Sequence, residues 1–116
     1  MAKKVMVVDD DPNIVKYIST LLSDAGYETC SASDGNEAYE VLKRENPDLI
    51  TLDLEMPEWG PRFYRRYSKK PEYSDIPVIV VSGLSGIDHA INSAVAVVHK
   101  PFDPDQLLRI VKETIG

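Results

Sequence analysis

Aspartates, a serine and a lysine stand directly after apolar runs at four places in this chain. Lys4-Val5-Met6-Val7-Val8 leads into Asp9-Asp10-Asp11, and Leu49-Ile50-Thr51-Leu52 leads into Asp53. Val78-Ile79-Val80-Val81 leads into Ser82, and Val95-Ala96-Val97-Val98 leads into His99-Lys100-Pro101. Clustered carboxylates raise one another's cost of ionisation until a cation arrives. A carboxylate can also act as a nucleophile, and a lysine can neutralise phosphoryl oxygens as a point charge. Carboxylates, a hydroxyl and a lysine together make a site for a divalent cation and a phosphoryl group. In an open parallel α/β sheet, ligands bind outside the carboxyl ends of the strands. The chemistry therefore depends on whether these four run-ends meet at one edge.

The intervening residues predict such a sheet. Lys4–Val8 is nearly all apolar, as expected for a strand covered on both faces. Asp11-Pro12 opens a helix, because aspartate caps it and proline at the first helical position loses no needed N–H. Ile14, Ile18, Leu21, Leu22 and Ala25 recur at helical spacing and predict its core face, and Gly26 ends it as a left-handed cap. Glu28–Ala32 predicts a short, less apolar strand that suits a sheet edge. Asp34 and Glu37 have capping-box spacing, and Ala38, Val41 and Leu42 face inward from the helix they start. Asn46-Pro47-Asp48 breaks that helix before Leu49–Leu52.

After a loop from Glu55 to Pro61, a third helix over about 62–69 turns Phe63 and Tyr67 inward. Residues 71–77 return to the fourth strand. The stretch 83–93 holds a loop and at most a short fourth helix around Asp88–Ser93. Val95–His99 is the fifth strand. Asp103-Pro104 repeats the cap-proline start, and Leu107, Leu108, Val111 and Ile115 line the fifth and last helix. Five strand–helix units predict a doubly wound α/β domain with a parallel five-stranded sheet, for which the order 2-1-3-4-5 is common. That order puts the switch point between the first and third strands, where the acidic cluster and Asp53 flank it.

Composition narrows the function. The chain has 116 residues and a formal net charge of −6, which suits one domain and argues against general nucleic-acid binding. Cys30 is the only cysteine, so neither a disulfide nor a thiol metal site is available, and the reducing cytoplasm fits best. The apolar run after Lys3-Lys4 is too short for a signal peptide, and no segment approaches the ~20 apolar residues that span a bilayer. A single domain over 1–116 with no output domain is expected, acting through protein contacts.

Each singled-out residue also has a plainer reading. Asp11 reads as the helix cap. Asp53 alone would pass for a strand-end turn residue, Ser82-Gly83 for a turn and Lys100 for a surface lysine. Their coincidence at four strand ends favours chemistry. The cationic run 62–70 reads as a solvated helix face, with an anionic partner as the other reading. His89 and His99 are too isolated for a metal pair. Trp59 is core, lid or partner contact, and Cys30 a small buried hydrophobe.

The chain resembles the receiver domain of two-component response regulators over essentially its whole length. The matching pieces are Val7-Val8-Asp9-Asp10-Asp11-Pro12, Leu52-Asp53-Leu54-Glu55-Met56-Pro57, Pro77-Val78-Ile79-Val80-Val81-Ser82-Gly83 and Lys100-Pro101-Phe102. The resemblance implies a flavodoxin-like (βα)5 fold. It implies Asp53 as phospho-acceptor, with Lys100 and Ser82 contacting the phosphoryl oxygens. It implies Mg²⁺, with Mn²⁺ as a substitute, held by Asp10 and Asp53, with Asp9 through water and the backbone carbonyl of Glu55 as a further ligand. The implied partner is a sensor histidine kinase or phosphotransfer protein, with a downstream protein beyond it, no nucleic acid and no membrane. The chain would catalyse its own phosphorylation and dephosphorylation without being a turnover enzyme.

The sequence also departs from the family pattern. Val97 stands where receivers usually carry an aromatic switch residue, and the segment from Ser82 to Lys100 is shorter than usual. Phosphorylation is therefore expected to act through the Gly83–Asp88 loop or the short fourth helix. Self-association, as a homodimer, or partner docking is expected through the face of the fourth helix, fifth strand and fifth helix. The alternative is a receiver-like interaction module that does not switch by phosphorylation. A hydrolase of the haloacid dehalogenase type fits less well, since its nucleophile follows the first strand. A flavin site is opposed by the carboxylate cluster.

Overall fold

A computed structural model describes residues 2–53, 60–83 and 94–116. Five parallel strands, β1 (Lys4–Val8), β2 (Glu28–Ala32), β3 (Leu49–Leu52), β4 (Val78–Ser82) and β5 (Ala96–His99), form one sheet in the order β2-β1-β3-β4-β5. The helices among the described residues are α1 (Pro12–Asp24), α2 (Gly35–Glu45), α3 (Gly60–Ser68) and α4 (Pro104–Ile115). The predicted doubly wound fold and strand order are those observed. The expected short helix around Asp88–Ser93 lies outside the described residues, so α4 is the fifth helix of the sequence reading.

The alternation of strand side chains builds two cores. Met6, Val8, Ile50, Leu52, Val78 and Val80 point to one face, where Ala38, Val41 and Leu42 of α2 and Phe63 and Tyr67 of α3 cover them. Val5, Val7, Leu49, Ile79, Val81 and Val98 point to the other, against Ile18 and Leu22 of α1 and Leu107 and Val111 of α4. Burial on both faces explains why β1 and β3 read as continuous apolar runs. The more polar β2 takes an edge, as its composition predicts.

Local signals set the helix ends. Asp11 accepts a hydrogen bond from the N–H of Asn13, and Asp103 accepts one from Asp105. Asp34 caps α2 by accepting from the Glu37 N–H at 2.8 Å, while Glu37 reaches back to accept from the N–H of Ser33, one residue before the cap, at 2.6 Å. Gly26 follows α1 at φ +100°, the left-handed conformation expected there. Three boundaries differ from the sequence reading. Helix α3 begins at Gly60 and β5 at Ala96. Ala25 is exposed, because it caps α1 instead of continuing its apolar face.

Candidate functional site

Three strand ends carry the site. The ladder runs one residue past β1 and β3: the Asp9 N–H donates to Ala32 O at 3.1 Å, and the Asp53 N–H donates to Val8 O at 2.9 Å. These bonds fix where both side chains leave the backbone. Asp9 and Asp53 are each 2% exposed, whereas Asp10 is exposed. One carboxylate oxygen from each of Asp9, Asp10 and Asp53 lies within 4.8 Å of the other two. The sequence reading brought these three together, and the fold does so at the switch point between β1 and β3.

Lys100 reaches the same place from the end of β5. Its Nζ donates to Asp9 Oδ2 at 2.7 Å and lies 3.5 Å from Asp53 Oδ2. The other oxygen of Asp9 accepts the Asp11 N–H at 2.9 Å, so its carboxylate is held at both ends. That second bond is an Asx turn, and the sequence reading assigned Asp11 only its capping role. An aspartate two residues before the cap was the available signal. Burial pulls the Lys100 ammonium down, but the hydrogen bond to Asp9 and the charges of Asp53 and Asp9 outweigh it and leave its pKa raised. The Lys100–Pro101 peptide is cis, and Phe102 beyond it stacks on Tyr17 with ring centroids 5.8 Å apart.

The donor set is one that a hard divalent cation fits. Among the described residues, three carboxylates face one ammonium, a formal excess of two negative charges at this edge. All the donors are oxygens. Mg²⁺ takes oxygen ligands, keeps several waters and needs only one or two carboxylates from the protein. Ser82 closes β4 beside β5, paired with His99, but the contacts expected of its hydroxyl lie outside the described side chains. Glu55, whose carbonyl was expected as a ligand, also lies outside the described residues, as does Trp59. Val97 is partly buried against the α2–α3 core. No helix among the described residues is long and apolar enough to cross a membrane.

Comparison with known proteins agrees with this geometry. The family model of the response regulator receiver domain matches residues 5–112. Protein Rrf1 of Nitratidesulfovibrio vulgaris is 37% identical over 117 residues, covering 100% of this chain and 85% of that protein. The ycf27 protein of Porphyridium aerugineum is 37% identical over 109 residues, and the match covers 90% of this chain but only 45% of that protein. Among solved structures, the chemotaxis response regulator CheY4 of Vibrio cholerae superimposes with a TM-score of 0.91 at 28% identity, covering 99% of this chain and 100% of that one. With a family match over most of its length and the family's fold, the chain belongs to the response regulator receiver domains.

Proposed function

We propose that this chain takes a phosphoryl group from the phosphohistidine of a sensor kinase or phosphotransfer protein onto Asp53, in a Mg²⁺-dependent reaction, and signals through protein contacts. The observation that carries the reading is the approach of Asp9, Asp10 and Asp53 within 4.8 Å, with Lys100 Nζ beside two of them.

An Asp53 carboxylate oxygen attacks phosphorus in line with the donor imidazole. The new O–P bond forms as the P–N bond breaks, and the imidazole nitrogen keeps the electron pair. Phosphoryl transfer is mostly positioning and charge neutralisation. The backbone bond of Asp53 to Val8 positions the nucleophile, and Lys100 sits where it can neutralise an incoming phosphoryl oxygen. Asp10 and Asp53 would hold Mg²⁺, with Asp9 in support, Glu55 O as the expected further ligand and Mn²⁺ as a substitute. The bound cation would supply charge neutralisation between the acidic edge and the phosphoryl oxygens. Ser82 would donate its hydroxyl to another phosphoryl oxygen.

Each chain accepts one phosphoryl group, so it works as a stoichiometric switch in the cytoplasm and not as a turnover enzyme. The face along β5 and α4, which Val95 borders, is where a partner or second copy would dock. Intact-mass measurement with a small phosphodonor tests the reading. Wild type gains one phosphoryl mass only with Mg²⁺, and Asp53→Asn gains none. Equal labelling of the variant removes the assignment, and a wild type that is never labelled favours the interaction-module reading.

A further inference from the structure

Charge is distributed unevenly over this chain. Five of its thirteen cationic residues fall within 62–70, a segment without a single acid, so the remainder carries eight cations against nineteen acids. Arg62, Arg65 and Arg66 stand at i, i+3 and i+4 on α3, the spacing of one helix face, and Lys69 and Lys70 follow directly after its last residue, Ser68. The opposite face is apolar, with Phe63 and Tyr67 buried. Arg62, Arg65, Arg66, Lys69 and Lys70 line one open depression of about 510 Å³ along α3.

Helix stability does not account for this stripe. Like charges three and four residues apart destabilise a helix by roughly 0.2–0.5 kcal/mol a pair, and Arg62 opposes both Arg65 and Arg66. Cations near a helix C-terminus favour its dipole, but Arg62 lies in the first turn, where a cation is disfavoured. Among the described residues no ion pair joins Arg65, Arg66, Lys69 or Lys70 to a carboxylate. Arg66 is nonetheless held in place: its guanidinium carbon lies 4.0 Å from the centroid of the buried Tyr39 ring. A guanidinium fixed over a ring keeps its planar donor fork for a bidentate carboxylate.

We propose that the cationic surface formed by Arg62, Arg65 and Arg66 of α3, with Lys69 and Lys70 just beyond its end, docks a short acidic segment of a partner protein. From Arg62 to Ser68 α3 rises about 9 Å, and with Lys69 and Lys70 beyond its end the surface suits roughly two turns of a partner helix. A carboxylate-bearing segment of that length touches only the cationic stripe. A nucleic acid would run beyond it onto a surface that carries the chain's excess of acids, which a Debye length of about 8 Å at physiological salt does not fully screen. The partner's carboxylates would meet Arg65 and Arg66 in bidentate pairs, with Lys69 and Lys70 steering the approach.

Fluorescence anisotropy with labelled hexaglutamate and a labelled dodecamer of thymidylate tests this at 50 and 200 mM salt. No phosphodonor is needed, so the outcome is separate from that of the phosphorylation assay. Wild type is expected to bind hexaglutamate more tightly than the oligonucleotide, and more weakly at the higher salt. Arg65→Glu/Lys69→Glu should weaken peptide binding at least tenfold. Arg109→Glu/Lys112→Glu, with the same charge change on α4, should leave it within twofold. Arg65→Gln/Lys69→Gln covers the event that charge reversal disturbs folding, and should show an intermediate loss. Carbodiimide coupling should join the peptide to Lys69 or Lys70. Equal binding by wild type and both α3 variants, coupling spread over other lysines, or tighter binding of the oligonucleotide overturns the proposal.

Discussion

Lys100 Nζ and Asp9 Oδ2 lie 2.7 Å apart although 91 residues separate them in sequence. They belong to the ends of β5 and β1, which are three strand spacings apart in the sheet, about 14 Å. Lys100 directly follows β5, and its long side chain reaches across the sheet edge to make this pair. The pair also occupies an oxygen of the most buried part of the acidic cluster, so the lysine and the proposed metal ion would act on the same carboxylates.

Removing the lysine exposes that competition. Lys100→Met should destabilise the protein by about 1–3 kcal/mol, because it leaves buried carboxylates without their ammonium and the residual exposure of Lys100 softens the full buried-pair penalty. Mg²⁺ should then raise the melting temperature of the variant more than that of wild type. Calorimetry in paired Mg²⁺ and chelator buffers measures both effects. An equal Mg²⁺ shift in the two proteins would separate Lys100 from the metal site.

Asp10 should behave unlike its neighbour. Its side chain is exposed, so Asp10→Ala should change metal-free stability by no more than about 0.5 kcal/mol. The Mg²⁺-dependent rise in melting temperature, an ordinary ligand linkage, should disappear. Asp9→Ala should cost about 1–2 kcal/mol without metal, since it removes the shorter partner of Lys100, which keeps Asp53 at 3.5 Å, and the acceptor of the Asp11 N–H. Similar stability losses for Asp10→Ala and Asp9→Ala in chelator would contradict the assigned burial.

Tyr67 anchors the helix that carries the cationic face. It is fully buried, with ring centroids 5.1 Å from Phe63 and 5.3 Å from Tyr64, and its hydroxyl donates to Ile76 O at 3.5 Å. A bond that long is weak, so Tyr67→Phe should cost no more than about 0.5–1 kcal/mol. Tyr67→Ala should cost about 3–5 kcal/mol through the cavity it leaves. Urea unfolding of the two variants checks the contrast. A Phe variant as unstable as the Ala variant would mean that the hydroxyl matters more than the ring.

Cys30 offers a readout of alkaline pH. Burial, assisted by the charge of Glu45, pushes its thiol up from 9.0 to about 11. The thiolate is the nucleophile, so at pH 8 iodoacetamide should alkylate the folded protein about a hundredfold more slowly than the urea-unfolded chain. The unfolded thiol ionises first. Its contribution to folding is therefore intact below pH 9 and is lost as the pH rises from 9 to about 11. Equal alkylation rates for folded and unfolded protein at pH 8 would refute the shift.

Helix caps, strand spans and the edge position of β2 were legible in the sequence because each depends on residues a few positions apart. Asp11, Asp34 with Glu37, Gly26 and Asp103 do what their types and spacing dictate. The apolar runs β1 and β3 announced burial on both faces, and their polar ends announced the site. Ala25 misled because helical periodicity does not say which turn is the last one.

The sequence by itself determined which side chains the strand ends present. Only the tertiary structure decided how they share one another. Asp9 is buried and Asp10 exposed, Lys100 lies closer to Asp9 than to Asp53, and Arg66 rests on Tyr39 from a neighbouring helix. Capping and alternation are local energies fixed by near neighbours in the chain. The order of strands and the tilt of the loops beyond them come from packing two cores at once, and that sum sets which distant charges meet.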